Sequence, residues 1–333
     1  MGVCIGINGF GRIGRCAARI ILSRSDLTLA AINSNSDVAS HAYLLRHDSV
    51  YGLWHESVFA EEDILVSGNH RIRCFQAADA SNVPWGAERV DIVLECTGKS
   101  RTTELAGKHI RESVQRVVIS APAKDATPTY IMGVNHLSYS GEPIISNSSC
   151  TTNCVATVLK VLDDALGVIR GNMTTIHAVT DSQNLLDNSH KKNLRLRRSA
   201  LVNLIPTASG SGKDVSKIFP HLAGRLPCRS VRVPVPAVSM IDLVVEVKKK
   251  TSVDSVNRLF ILAAKSGLKN ALAVAEEELV STDYIGSPFS SVIDSSLTDV
   301  ADGTLVHVSA WYDNEWGYAN RLVDMAAHIM KKT

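Results

Sequence analysis

The chain has 333 residues, 45% of them apolar and 20% charged, and its 35 Lys and Arg against 33 Asp and Glu leave a formal net charge of +2. That length accommodates roughly two domains with cores of their own, and the apolar content excludes a predominantly disordered chain. The near-neutral balance supplies no global field for nucleic acid or an anionic membrane, and no apolar run approaches the roughly 18 residues that a membrane span needs.

The N-terminus enters a strand-like run without a signal-peptide profile, which sets the expectation of a soluble, cytoplasmic protein. Met1-Gly2 invites a myristoylation check, but Gly6 stands where that motif wants Ser or Thr. Val3 to Asn8 reads as a strand. It runs into Gly9-Phe10-Gly11-Arg12-Ile13-Gly14 and then into a helix carrying Ala17, Ala18, Ile20, Ile21 and Leu22. Glycines in a strand–turn–helix context allow a tight turn, close approach of a pyrophosphate to backbone, and close packing of helix on strand. Short aliphatic runs follow at Leu27 to Asn33, Val90 to Thr97, Arg116 to Ala121 and Glu142 to Ile145, separated by polar helical stretches. This rhythm predicts parallel strands covered by helices, an α/β Rossmann-type dinucleotide-binding domain over residues 1–149. The second strand ends Ala31-Ile32-Asn33-Ser34, with no carboxylate before Asp37, where an acidic residue usually takes the ribose 2′-hydroxyl of NAD.

Next comes Ser146-Asn147-Ser148-Ser149-Cys150-Thr151-Thr152-Asn153-Cys154, where an extended segment turns into an apolar helix over Val155 to Leu166. A thiol at a helix start faces backbone N–H groups and the positive end of the helix dipole, which favour thiolate and a nucleophilic role. The same N–H groups suit an oxyanion. Cys150 and Cys154 have C-x3-C spacing without a second pair nearby, so no metal site is expected. Seven cysteines dispersed over a chain of this size point to reduced thiols.

Beyond Cys154 the strands lengthen: Asn172 to Ala178, Ser230 to Pro234, Met240 to Lys248 and Leu305 to Tyr312, with helices at Lys213 to Ile218 and Ser252 to Ser266. Residues 150–316 thus read as an α+β catalytic domain with a large mixed sheet. His177 closes one strand. Arg232 interrupts another, and a guanidinium so placed needs either an anionic ligand or an internal salt bridge. The run from Lys191 to Arg198 holds five cations. Its leucines and lack of stacking aromatics fit a structural loop near a subunit interface and anion site better than a nucleic-acid patch. The last helix, 317–333, carries Leu322, Met325, Ala326 and Ile329 at helical spacing.

Taken together, Ser-Asn-x-Ser-Cys-Thr-Thr-Asn-Cys and Trp311-Tyr312-Asp313-Asn314-Glu315, with the glycine turn, resemble the phosphorylating glyceraldehyde-3-phosphate dehydrogenases from Ile7 to Tyr318. The resemblance implies a thioester mechanism with glyceraldehyde 3-phosphate and inorganic phosphate as substrates, in a homotetramer. It implies Cys150 as nucleophile and His177 as base. Thr180 and Arg232 would hold the substrate's own phosphate, and Ser149, Thr151, Arg195, Ser209 and Gly210 the attacking phosphate. Around the dinucleotide it implies Gly9, Gly11, Arg12, Ile13, Gly14, Thr97 and Gly98 along the pyrophosphate path, Ser120 on the ribose side, and Asn314 and Tyr318 at the nicotinamide. The C-terminal helix would complete the first domain.

Five departures from the family pattern stand out. Ser34 replaces the usual Asp, Ser189 replaces Pro, and Ala78 stands where many NAD-using members have Arg, so the adenosine end points to NADP, with NAD as the alternative cofactor. Ser209 replaces Thr, and the segment from Lys191 to Ile205 is one residue longer than in many relatives, so Arg197 or Arg198 can take the role given to Arg195. Erythrose-4-phosphate dehydrogenase is the enzymatic alternative, disfavoured by Thr180 in its His-x-x-Thr context. A non-catalytic dinucleotide-binding regulator is the other, disfavoured by the presence of Cys150 and His177.

Overall fold

A computed structural model describes residues 2–190 and 193–331, so Met1, Lys191, Lys192, Lys332 and Thr333, which include part of the basic run and the end of the C-terminal helix, lie outside the described residues. The chain divides into two compact units, residues 1–149 with 319–333, and residues 150–318.

In chain order the first unit comprises β1 (Val3–Asn8), α1 (Arg12–Leu22), β2 (Leu27–Asn33), α2 (Val38–Arg46), β3 (Val58–Glu61), β4 (Ile64–Ser67), β5 (His70–Phe75), β6 (Ile92–Glu95), α3 (Thr103–Gly107), β7 (Arg116–Ile119) and β8 (Ile144–Ser146). They form one sheet in the order β3-β4-β5-β2-β1-β6-β7-β8. β2, β1, β6, β7 and β8 run parallel, as the uninterrupted aliphatic runs predict, because strands covered on both faces need no polar alternation, and β5 joins them parallel on β2. Ile92, Val93 and Leu94 of β6 are all fully buried, each contributing roughly 1.5–3 kcal/mol of burial. The order reverses between β2 and β6 on either side of β1, and in such sheets the crevice at the carboxyl ends beside that point receives the ligand.

The alternation of runs did not reveal β3, β4 or β5, which pair antiparallel in that order. Their signal lies in turn chemistry: Glu62 has φ +52° between β3 and β4, and Gly68 has φ +53° between β4 and β5.

The second unit begins with α4 (Cys150–Leu166) and continues through β9 (Val168–His177), β10 (Ile205–Ala208), α5 (Ser211–Ile218), β11 (Cys228–Arg232), β12 (Ser239–Val247), α6 (Val253–Lys265), β13 (Leu272–Ala275), β14 (Ser291–Asp294), β15 (Asp299–Ala301) and β16 (Leu305–Tyr312) to α7 (Trp316–Lys331). Its sheet is mixed, in the order β10-β11-β9-β12-β16-β14-β13, with β15 on β16. In β12 every second residue is buried, the period expected of a sheet with one covered face. Ser252 caps α6 by accepting from the Ser255 amide at 3.3 Å.

From Ala319 onward α7 groups with the first unit, where Asp324 accepts from Arg24 at 2.7 Å. None of the seven cysteines forms a disulfide. Among the described residues no helix is long and apolar enough to cross a membrane, and no three His, Cys, Asp or Glu side chains are grouped to hold a metal ion.

Candidate active site

In the second unit Cys150 is the first residue of α4 and His177 the last of β9, and the fold brings Cys150 Sγ to 3.5 Å from His177 Nε2. β11 runs parallel to β9 in a register that sets Arg232 beside His177, so both side chains leave the same face of the sheet. His177 Nδ1 lies 2.7 Å from the Ala178 carbonyl oxygen, which can only accept, and against the Arg232 guanidinium, which can only donate; with the proton on Nδ1 and given to Ala178, Nε2 presents a lone pair to the thiol.

Burial pushes the Cys150 thiol up, while the Arg232 guanidinium pulls it down by a lesser amount. Burial and then Arg232 push His177 down to about 3. The pair therefore rests as thiol and neutral imidazole near pH 7. Burial thus acts against the helix-terminal amides, which favour thiolate. Nucleophilicity then requires Nε2 to take the thiol proton. His177→Asn is expected to slow alkylation of Cys150 by iodoacetamide at neutral pH by roughly 10²-fold and to move the rate–pH profile upward, since a general base is commonly worth 10²–10⁴. An unchanged profile would leave His177 a packing role only.

Arg232 has no carboxylate partner among the described residues. Its Nη1 lies 3.1 Å from the Ala178 carbonyl oxygen and against His177 Nδ1, and its buried Nε meets no acceptor. A half-buried guanidinium with an orphaned N–H fits an anionic ligand and not an internal salt bridge. Thr180 is exposed beyond β9, its hydroxyl within reach of Ser182 Oγ and Gln183 Oε1.

Thr151 is buried, and its hydroxyl lies 2.9 Å from the Tyr312 hydroxyl, itself 2.8 Å from Thr175 Oγ1. Tyr312 also sets its ring edge-on to His177 at 6.0 Å. Ser239 Oγ accepts from the Ala178 amide at 3.1 Å and donates to Asn314 Oδ1 at 3.2 Å, tying Asn314 to the backbone beside His177. Sequence reasoning assigned neither Tyr312 nor Ser239 a place here. Ser209 Oγ accepts from the Ser211 amide at 3.3 Å, and Gly210 is the N-cap of α5. Tyr318 is buried in α7, and Ser189 is exposed, its amide donating to Asn188 Oδ1.

Arg195 lines a hollow with Thr174, Thr207, Arg229, Ser230 and Val231. Arg198 pairs with Asp187, and Arg197 donates to the His190 carbonyl oxygen.

In the first unit Gly9 has φ +96°, and a Cβ there would stand 2.7 Å from the Thr97 amide nitrogen. A Cβ on Gly14 would meet the Gly9 carbonyl oxygen at 2.2 Å, whereas one on Gly11 would meet nothing within 4 Å. Two glycines are thus demanded by packing and the third opens onto space. Gly11 caps α1 without any side-chain hydrogen bond, which suits a helix start that receives a pyrophosphate. Ile13 is half-buried in the first turn of α1, and Thr97 and Gly98 are exposed just past β6, Gly98 with φ +68°. Ser120, past β7, donates its amide to the Glu95 carbonyl oxygen. Arg12 pairs with Asp48.

Ser34 sits half-buried just past β2 with its amide on the Phe75 carbonyl oxygen, and Ala78 is exposed. Asp37, the first carboxylate after β2, accepts from the Ser40 amide at 2.8 Å and caps α2. That bond holds its carboxyl below the usual range. It is engaged by its own helix.

The family model for the glyceraldehyde 3-phosphate dehydrogenase NAD binding domain matches residues 3–103, and that for the C-terminal domain matches residues 149–314. The chain is 46% identical over 330 residues to glyceraldehyde-3-phosphate dehydrogenase 1 of Bacillus cereus, covering 98% of each. It is 45% identical over 334 residues to glyceraldehyde-3-phosphate dehydrogenase of Geobacillus stearothermophilus, covering 100% of this chain and 99% of the relative. A chloroplastic glyceraldehyde-3-phosphate dehydrogenase of Arabidopsis thaliana is 46% identical over 326 residues, covering 97% of this chain and 82% of the relative.

Proposed function

The chain belongs to the glyceraldehyde-3-phosphate dehydrogenase family, and on that premise we propose that it is the phosphorylating enzyme, converting glyceraldehyde 3-phosphate and inorganic phosphate to 1,3-bisphosphoglycerate. The observation that carries this reading is a thiol 3.5 Å from His177 Nε2, beside an arginine that no carboxylate neutralises among the described residues.

His177 Nε2 takes the thiol proton as Cys150 Sγ adds to the aldehyde carbon and hands it to the carbonyl oxygen, giving a hemithioacetal and freeing Nε2. The N-terminal amides of α4 suit the developing oxyanion. Loss of hydride then leaves a thioester on Cys150, with His177 accepting the hydroxyl proton. Attack by phosphate at the thioester carbon breaks the C–S bond and returns Cys150 as the leaving group. Arg232 and Thr180 bind the substrate's phosphate; Ser149, Thr151, Ser209 and Gly210 supply the pocket for the attacking one.

A bound nicotinamide dinucleotide supplies the hydride acceptor. Gly9, Gly11, Arg12, Ile13, Gly14, Thr97 and Gly98 hold its pyrophosphate, Ser120 its ribose side, and Asn314 and Tyr318 its nicotinamide. Ser34, Ser189 and the capping use of Asp37 favour NADP. The active assembly is a homotetramer.

Arg232→Ala tests the anion site. It is expected to cut kcat/KM for glyceraldehyde 3-phosphate by roughly 10–100-fold, since losing a charged hydrogen bond costs about 1.5–3 kcal/mol, and to spare unphosphorylated glyceraldehyde. Equal losses for the two aldehydes would make Arg232 structural and remove the support for a phosphorylated substrate.

A further inference from the structure

Behind the glycine turn lies a buried polar network that the proposed chemistry does not use. Asn33, Asn8 and Glu95 stand in one row across the carboxyl ends of β2, β1 and β6. Glu95 is 1% exposed and His109 is fully buried, with no cation of Lys or Arg paired to the carboxylate among the described residues. Buried carboxylates without such a partner persist only where hydrogen bonds replace water.

The direction of every bond in this network is fixed from its two ends. At one end Asn33 accepts from the Ala77 amide at 2.9 Å and donates to the Ala77 carbonyl oxygen at 3.0 Å, so the backbone sets its amide orientation. Asn33 Nδ2 therefore donates to Asn8 Oδ1 at 2.7 Å, which turns Asn8 Nδ2 toward Glu95 Oε2 at 2.6 Å. At the other end the Trp85 indole, a donor only, gives its N–H to His109 Nδ1 at 3.0 Å. His109 must then carry its proton on Nε2, 3.2 Å from Glu95 Oε2. The other carboxylate oxygen, Oε1, accepts the Thr97 amide at 2.8 Å and the Thr97 hydroxyl. Four donors converge on one carboxylate, an arrangement that a neutral amide of the same shape cannot satisfy.

The Thr97 peptide that Glu95 holds is the surface on which the turn rests, because Gly9 packs against the Cys96–Thr97 peptide and Gly14 against the Gly9 carbonyl oxygen. The other branch ends on the Ala77 backbone, next to Ala78 at the adenosine end. We propose that Glu95, oriented by His109 and Asn8, is a positioning residue of the dinucleotide site that sets the pyrophosphate turn and the adenosine loop through one shared carboxylate. This rests on the reading of the first unit as dinucleotide-binding.

Glu95→Gln puts an amide donor where two donors already converge. It is expected to raise the Kd for NADPH and for NADH, read by quenching of protein fluorescence, by about tenfold or more. The iodoacetamide alkylation rate of Cys150 in the dinucleotide-free protein is expected to stay within about twofold of wild type, because that thiol belongs to the other unit. Asn8→Asp in the Glu95→Gln background moves the acceptor to position 8 while keeping one buried carboxylate. It is expected to recover at least about threefold of the lost affinity.

A Kd within twofold of wild type in Glu95→Gln, or no recovery in the double variant at an equal melting temperature, overturns the proposal. Should Glu95→Gln fail to fold, Thr97→Val carries the test, and an unchanged dinucleotide Kd in that variant overturns it equally. A wild-type protein that binds neither dinucleotide defeats the underlying reading instead, before any variant is compared.

Discussion

Cys150→Ser is expected to lower turnover by at least about four orders of magnitude, the scale on which removal of a catalytic nucleophile acts. The protein should fold normally and bind dinucleotide with unchanged affinity. The substitution replaces a thiol by a slightly smaller hydroxyl at the first residue of α4, so packing is nearly conserved. The chemistry is not. The pKa of an alcohol lies far above that of a thiol, and the same imidazole at 3.5 Å is too weak a base to deliver the alkoxide. Single-turnover cofactor reduction with glyceraldehyde 3-phosphate, beside a dinucleotide titration and a melting curve, separates these effects. Turnover within tenfold of wild type would end the covalent mechanism.

Ser34→Asp is expected to cut kcat/KM for NADP by roughly 10²–10³-fold and to leave NAD use equal or improved, because juxtaposed like charges cost several kcal/mol. The position makes the test clean. Ser34 follows β2 directly and its backbone amide is already bonded to the Phe75 carbonyl oxygen, so the new carboxylate need not disturb the strand end. Asp37, the first carboxylate after β2, is already engaged at the cap of α2. Ser189→Pro is expected to add a smaller shift in the same direction, and it also deletes the amide that bonds Asn188 Oδ1. Steady-state kinetics with both cofactors decide the matter. A wild-type protein that ignores NADP, or a ratio unmoved by Ser34→Asp, would make both serines incidental and the enzyme an NAD-dependent member.

Local patterns in the sequence determined a good deal. The aliphatic runs of β1, β2, β6, β7 and β8 announce themselves because a strand buried on both faces must be apolar throughout. The glycine turn is legible because only glycine fits Gly9 at φ +96° and Gly14 against a carbonyl oxygen. Cys150 is legible because an extended run gives way to helix at that residue, a local event.

Only the tertiary structure decided what those residues meet. Cys150 and His177 are 27 residues apart, and their contact exists because the start of α4 lies beside the end of β9. Arg232 reaches them through the parallel register of β11 on β9. The protonation of the pair is equally a tertiary property. A helix terminus favours thiolate, while burial pushes the Cys150 thiol up and His177 down, and burial depends on every element packed around them. Asp37 and Glu95 are both plain carboxylates in the sequence. One is spent on a helix cap and the other gathers four donors behind the glycine turn, because hydrogen-bond partners are assigned by the fold and not by the chain.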